Sequence, residues 1–257
     1  MFKKISILIL LLLLFLSISV VSANEDVNTK ISDNSGKNII LSQNNDDLLT
    51  NQITVNEVNY NDYFGSDGKA SSNINSGDTI KLDGSFSNRN FIFDKKVTVE
   101  GTSSNSMADC TIKLLSGASG SIVMNLKITN TKQYAYGVCL DDADECIVKN
   151  CNIYTTGQAA YPIAVGNGAN HNQIINNDLK TSGASYGHGS RSTTPLVLFG
   201  SHYNYVANNV ILCADANGIY LSSYGAGPFK GAESNFNRIF NNTIIYSVIP
   251  TDRKSVV

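Results

Sequence analysis

A six-residue pattern of apolar and polar positions recurs five times along the chain: a β-branched residue, any residue, asparagine, two further residues, then isoleucine or leucine. The copies are 123–128, 148–153, 174–179, 206–211 and 239–244, and their asparagines are 25, 26, 32 and 33 residues apart. A second short alternating run precedes four of them, at Val138/Leu140, Ile163/Val165, Leu196/Leu198 and Ile219/Leu221. Alternation over three to five residues predicts strands, each too short to be stable alone. A repeat of this length, holding two or three such strands, closes one turn of a coil. Stacked turns pair their strands in parallel and bury one apolar column, here Val123, Val148, Ile174, Val206 and Ile239. Each turn needs a corner. Asparagine tolerates left-handed backbone and carries both a donor and an acceptor. Asn125, Asn150, Asn176, Asn208 and Asn241 are therefore expected to stack as a structural ladder, about 4.8 Å apart. A further asparagine, Asn172, Asn204 or Asn237, stands two residues before three of the copies, and Ser121 and Cys146 hold that place in the earlier two.

These residues resemble the right-handed parallel β-helix repeat family over about residues 56–251. The fold class expected is all-β, a solenoid of parallel strands with an asparagine ladder. A closer resemblance, to adhesin-like surface proteins of methanogenic archaea, is carried by Ser76-Gly77-Asp78-Thr79-Ile80-Lys81-Leu82-Asp83-Gly84, extended by Phe91-Ile92-Phe93 and Lys96-Val97-Thr98-Val99-Glu100-Gly101. The resemblance implies that this stretch forms the first coil, with the aromatic Tyr60, Tyr63 and Phe64 near an N-terminal cap. It also implies a secreted, non-enzymatic surface protein. The fold also carries enzymes, so a polysaccharide lyase or glycoside hydrolase is the rival reading.

The ends of the chain bound the picture. Lys3 and Lys4 precede an apolar stretch, 5–21, and then Ser22-Ala23, the pattern of a secretory signal over residues 1–23. Residues 24–55 are rich in Asn, Ser and Asp and read as a disordered linker. Residues 252–257 correspond to a codon string with a following stop that resembles a sequencing adapter. They are read as an artefact, and the helix as truncated near Thr251 with an exposed, aggregation-prone last coil. No membrane span is expected after signal cleavage.

Composition changes the functional picture. Charged residues are only 16% and the net charge is −2, which disfavours nucleic acid as a partner. Surface glycans or cell-wall polymers are the partners expected. Five cysteines cannot all pair within one chain, and their spacing matches no familiar zinc pattern, so they are read as small buried strand residues. The turn holding Asp141, Asp142 and Asp144 has the carboxylate density for calcium, the one candidate cofactor, although a solvated turn is the plainer reading. Two insertions, 180–194 and 222–236, interrupt the repeat. Tyr186 and Tyr224 offer faces for sugar rings there, Phe229 adds apolar area, and Arg191 offers a hydrogen-bond fork. His171, His188 and His202 lack the spacing of a metal site and are read as surface residues. No catalytic residue is expected, because glycosidases need paired carboxylates on neighbouring elements and the acids here cluster in one turn. Asn241-Asn242-Thr243 is a glycosylation sequon, but a ladder position would make Asn241 inaccessible, so no glycan is expected there.

Overall fold

A computed structural model describes residues 51–182, 193–214, 217–223, 229–230 and 232–246. Strand β1 (Gln52–Val55) and a single helical turn, α1 (Tyr60–Tyr63), lead into the first coil, β2 (Thr79–Leu82), β3 (Ser85–Ser87) and β4 (Asn90–Phe93). The second coil is β5 (Thr98–Gly101), β6 (Ser106–Ala108) and β7 (Thr111–Leu114), and the third β8 (Ile122–Met124), β9 (Lys127–Asn130) and β10 (Tyr136–Asp141). The fourth is β11 (Ile147–Lys149), β12 (Asn152–Thr155) and β13 (Tyr161–Gly166). The fifth is β14 (Gln173–Ile175), β15 (Asp178–Thr181) and β16 (Leu196–Phe199), and the sixth β17 (Tyr205–Ala207), β18 (Val210–Cys213) and β19 (Ile219–Ser222). Strands β20 (Arg238–Phe240) and β21 (Thr243–Tyr246) begin a seventh.

Among the described residues these strands form three sheets, of eight, seven and six strands, and each sheet takes one strand from every complete coil. Every pairing between strands is parallel. The fold is the right-handed parallel β-helix that the repeat predicts. Strand β1 lies inside the stretch expected to be linker and extends the first sheet by pairing with β2. Its Val55 is fully buried, so a four-residue alternating run inside a polar region was enough to add a strand.

The expected apolar column is in register, Val123 with Val148, Val148 with Ile174, Ile174 with Val206 and Val206 with Ile239. The first four are fully buried and Ile239 is 39% exposed. Burying such a side chain contributes about 1.5–3 kcal/mol over leaving it in water. At the N-terminal end Tyr60, Phe64, Phe86, Phe91 and Phe93 close the column as an aromatic cluster, with Tyr60 and Phe64 stacked at 5.0 Å. The Tyr60 hydroxyl donates to the Asn90 carbonyl, and burial pushes the phenol up to about 12.

The recurring motif spans a corner rather than a strand. Its β-branched residue ends in the first sheet, its asparagine turns the chain, and its final Ile or Leu points inward from the second sheet. The asparagines Asn125, Asn150, Asn176, Asn208 and Asn241 all have φ between 52° and 60°, where asparagine costs less than other non-glycine residues. They form one column, in which Asn241 Nδ2 donates to Asn208 Oδ1 as the ladder expects, but all five are exposed. The buried ladder stands one residue further on. The buried amides are those of Asn177 and Asn209, continued by Asn242. Asn209 Oδ1 accepts from the backbone N–H of Asn177 at 2.9 Å, while Asn209 Nδ2 donates to the Ile174 carbonyl at 2.9 Å. Each amide thus satisfies one donor and one acceptor of the coil below, groups that the bend removes from sheet pairing. Leu126 and Cys151 hold this position in earlier coils. A second ladder stands at the opposite end of the first-sheet strands β14, β17 and β20, where Asn204 N–H donates to Asn237 Oδ1 at 2.9 Å and Asn172 N–H to Asn204 Oδ1 at 2.8 Å.

Candidate functional site

An open groove runs beside the corner between the first and second sheets, with a volume of about 560 Å³. Later coils turn this corner in two residues, such as Asn125 and Leu126. The second coil instead spends four, 102–105, between β5 and β6. That longer turn stands as one wall. Thr102 Oγ1 donates to Asp83 Oδ1 at 2.6 Å, and the Ser104 hydroxyl donates to the same oxygen. These bonds hold the Asp83 carboxyl below the usual carboxylate range. Gly101 allows the close approach of the next coil, since a Cβ there would lie 2.4 Å from the Asn125 carbonyl oxygen.

The rest of the lining comes from outward positions of successive coils, Lys81, Glu100, Asn125, Lys127, Asn150 and Asn152. Asn125 Nδ2 donates to Glu100 Oε1 at 3.3 Å. The backbone N–H of Lys127 is fixed by Asn105 Oδ1 at 3.1 Å. Neither Lys81 nor Lys127 is ion-paired among the described residues. The surface offers hydroxyls, amides, two ammonium groups and one carboxylate in the lining, Glu100. It suits hydrogen bonding to a polar, anionic chain. It does not place a pair of carboxylates across a scissile bond. None of these groups was singled out in the sequence as a binding residue, because the groove arises from one lengthened corner, and corner length becomes visible only when coils are stacked.

The residues proposed from sequence fare differently. Tyr186, Arg191 and Tyr224 lie outside the described residues, as does His188. Phe229 is described and corrects the expectation. It is only 4% exposed and belongs to a second apolar cluster with Cys139, Tyr161, Ala164, Val197 and Phe199. Its ring stacks on Phe199 at 5.2 Å and meets Tyr136 edge-on at 5.8 Å. The chain at 229–230 therefore lies on the outer face of the third sheet, tied down by the Lys230 N–H to Asn167 Oδ1 at 2.7 Å. That cover is why β13 and β16 are buried at every residue, while strands of the second sheet alternate. Phe229 is a packing residue with no face left for a ligand.

The calcium reading of Asp141, Asp142 and Asp144 is also corrected. Asp141 is ion-paired with Lys113 at 2.7 Å and accepts from Asn167 Nδ2 at 2.5 Å. Asp144 accepts the Asn170 N–H at 2.6 Å, and Asp142 occupies a left-handed corner with φ 61°. Among the described residues no three His, Cys, Asp or Glu side chains are grouped to hold a metal. The acids lie close together, at the end of β10 and in the turn to β11, but Asp141 and Asp144 are each engaged by partners from neighbouring coils.

All five cysteines are buried and unpaired. Burial raises every thiol, Cys110 and Cys146 to about 11 and Cys139 and Cys151 to about 12, so none supplies a thiolate at neutral pH. The native protein is expected to react with less than one equivalent of a thiol reagent at pH 8, and with five after denaturation in guanidinium. Rapid native reaction of two or more would contradict this burial.

An exposed aromatic stack was not foreseen. His171, Tyr203 and Phe236 occupy equivalent left-handed corners, φ 57–59°, with rings 5.1 and 5.0 Å apart. The one-residue offset from the second asparagine ladder was the signal in the sequence. Tyr203 is covered on both faces, while Phe236 at one end of the stack is 70% exposed.

Residues 114–248 match the family model described as "Right handed beta helix region". No curated protein and no solved structure matches the chain.

Proposed function

Because the chain belongs to the right-handed β-helix family, we propose that it is an exported, adhesin-like surface protein whose rigid coil presents the groove at Lys81, Glu100 and Lys127 to an acidic glycan. The observation that carries this reading is the composition of that groove: amides and hydroxyls at its coil corners, and two lysines that are not ion-paired among the described residues. Amides and hydroxyls match sugar hydroxyls, and ammonium groups match carboxylate or sulfate substituents. Support for export comes from the N-terminal pattern of basic, apolar and small residues. Support for a contact role over catalysis comes from the single carboxylate in the lining.

A glycan array spanning neutral and acidic polysaccharides tests the reading. Binding is expected to favour acidic polymers, to weaken as salt rises, and to fall at least tenfold in a Lys81→Ala/Lys127→Ala variant with an unchanged circular dichroism spectrum. No binding to any glycan, or full binding by that variant, would remove the groove from consideration. New unsaturated or reducing ends in a bound polymer would replace the contact role with an enzymatic one.

A further inference from the structure

Asn241-Asn242-Thr243 is the only Asn-x-Ser/Thr sequence among the 32 asparagines of the chain. The structure reverses the expectation that its position hides it. The ladder residue is Asn242, which is half-buried; its Oδ1 accepts the Asn209 N–H at 3.0 Å and its Nδ2 donates to the Val206 carbonyl at 2.9 Å. Asn241 is the corner residue, and it is exposed. This exposure does not depend on its being in the last described coil, because Asn125, Asn150 and Asn176 occupy the same corner with coils on both sides and are exposed too. The residue two places on is the first, outward-facing position of a second-sheet strand. In the five repeats it is Lys127, Asn152, Asp178, Val210 and Thr243, all exposed. Only the last supplies the hydroxyl a sequon needs.

We infer that Asn241 is an N-glycosylation site. The inference rests on the export reading for its access to the modifying enzyme. The co-reactant is a polyprenyl-phosphate-linked oligosaccharide presented by a membrane-bound transferase. Asn241 Nδ2 attacks the anomeric carbon, and the N–C bond forms as the bond from that carbon to the phosphate oxygen breaks. The lipid phosphate leaves with the electron pair, and one of the two Nδ2 protons is lost to a base of the transferase. The product retains one Nδ2–H. That proton suffices for the bond Asn241 Nδ2 now donates to Asn208 Oδ1, so the corner keeps its contact after modification. The glycan would project beside β20 and β21, where Phe240, Ile244, Ile245 and Tyr246 are 42–59% exposed. A bulky hydrophilic chain there hinders edge-to-edge pairing of exposed strands.

The test is secretion of the full chain from an N-glycosylating host in two forms, one with its own residues 1–23 and one with those residues replaced by a leader of proven function. Tryptic peptide 239–253 is then analysed by mass spectrometry before and after peptide N-glycosidase. The expected result is a glycan on that peptide, absent in Asn241→Gln and in Thr243→Ala and kept in Thr243→Ser. The circular dichroism spectrum should not change on deglycosylation. A folded, secreted chain with unmodified Asn241 overturns the inference. Modification of the leader-replaced form alone, with the other retained in the cell, leaves the site standing and sinks the export reading.

Discussion

Asn209→Ala is expected to lower stability by about 2–5 kcal/mol, because it strips the Asn177 N–H and the Ile174 carbonyl of their partners in a buried setting. Its neighbour is expected to behave differently. Asn208→Ala should cost about 1 kcal/mol, the penalty of a Cβ-bearing residue without a local polar side chain in the left-handed region. Asn208→Gly should cost almost nothing, since glycine adopts that backbone freely. Asn209→Leu separates volume from hydrogen bonding. The equivalent residue Leu126 is fully buried, so leucine fits this column, and a loss close to that of alanine would assign the effect to the unpaired backbone groups. Urea unfolding of the four variants measures all of this. Asn208→Ala more damaging than Asn209→Ala would return the ladder to the corner asparagines.

The second large effect concerns the outer face of the third sheet. Phe229→Ala is expected to cost about 3 kcal/mol, at the low end for a buried phenylalanine because the covering segment can detach without opening the coil. Detachment would expose Tyr161 and Phe199, seen as new dye binding and faster proteolysis between residues 222 and 236. Gly166 lies directly beneath the ring, and a Cβ there would come within 2.1 Å of it. Gly166→Ala should therefore displace the same segment, and the double variant should cost clearly less than the two single losses combined. Strict additivity would show that Gly166 and Phe229 do not meet as described.

Much of the coil was legible because it repeats. The β-branched and Ile/Leu positions of five motifs predicted the inward residues of two sheets, and the runs around Leu140, Val165, Leu198 and Leu221 predicted strands of the third. The ladder was misplaced by one residue for a definable reason. The corner asparagine recurs in all five copies because it adopts the left-handed backbone at low cost, whereas the buried position tolerates Leu126, Cys151 or asparagine. Recurrence therefore marked the conformational requirement and hid the hydrogen-bonding one. Phe229 was misread because its partners, Cys139, Ala164 and Val197, are outward residues of three different coils, the first of them 90 residues before it in the sequence. The groove depends on a lengthened corner, and the acidic turn on which partners the neighbouring coils bring to each carboxylate. Neither can be read until the coils are stacked.

The direction of the backbone hydrogen bonds has a mechanical meaning. In a stack of parallel coils the inter-strand bonds run along the axis, and the chain itself runs across it. Tension spread over the two ends therefore loads the bonds of three strands in a coil together, each along its own direction, and the asparagine amides share the load at two corners. Tension drawn sideways on a single corner opens the same bonds one after another. A coil of this kind bears force well along one line and poorly across it, and anything that anchors it at its two ends uses the strong direction.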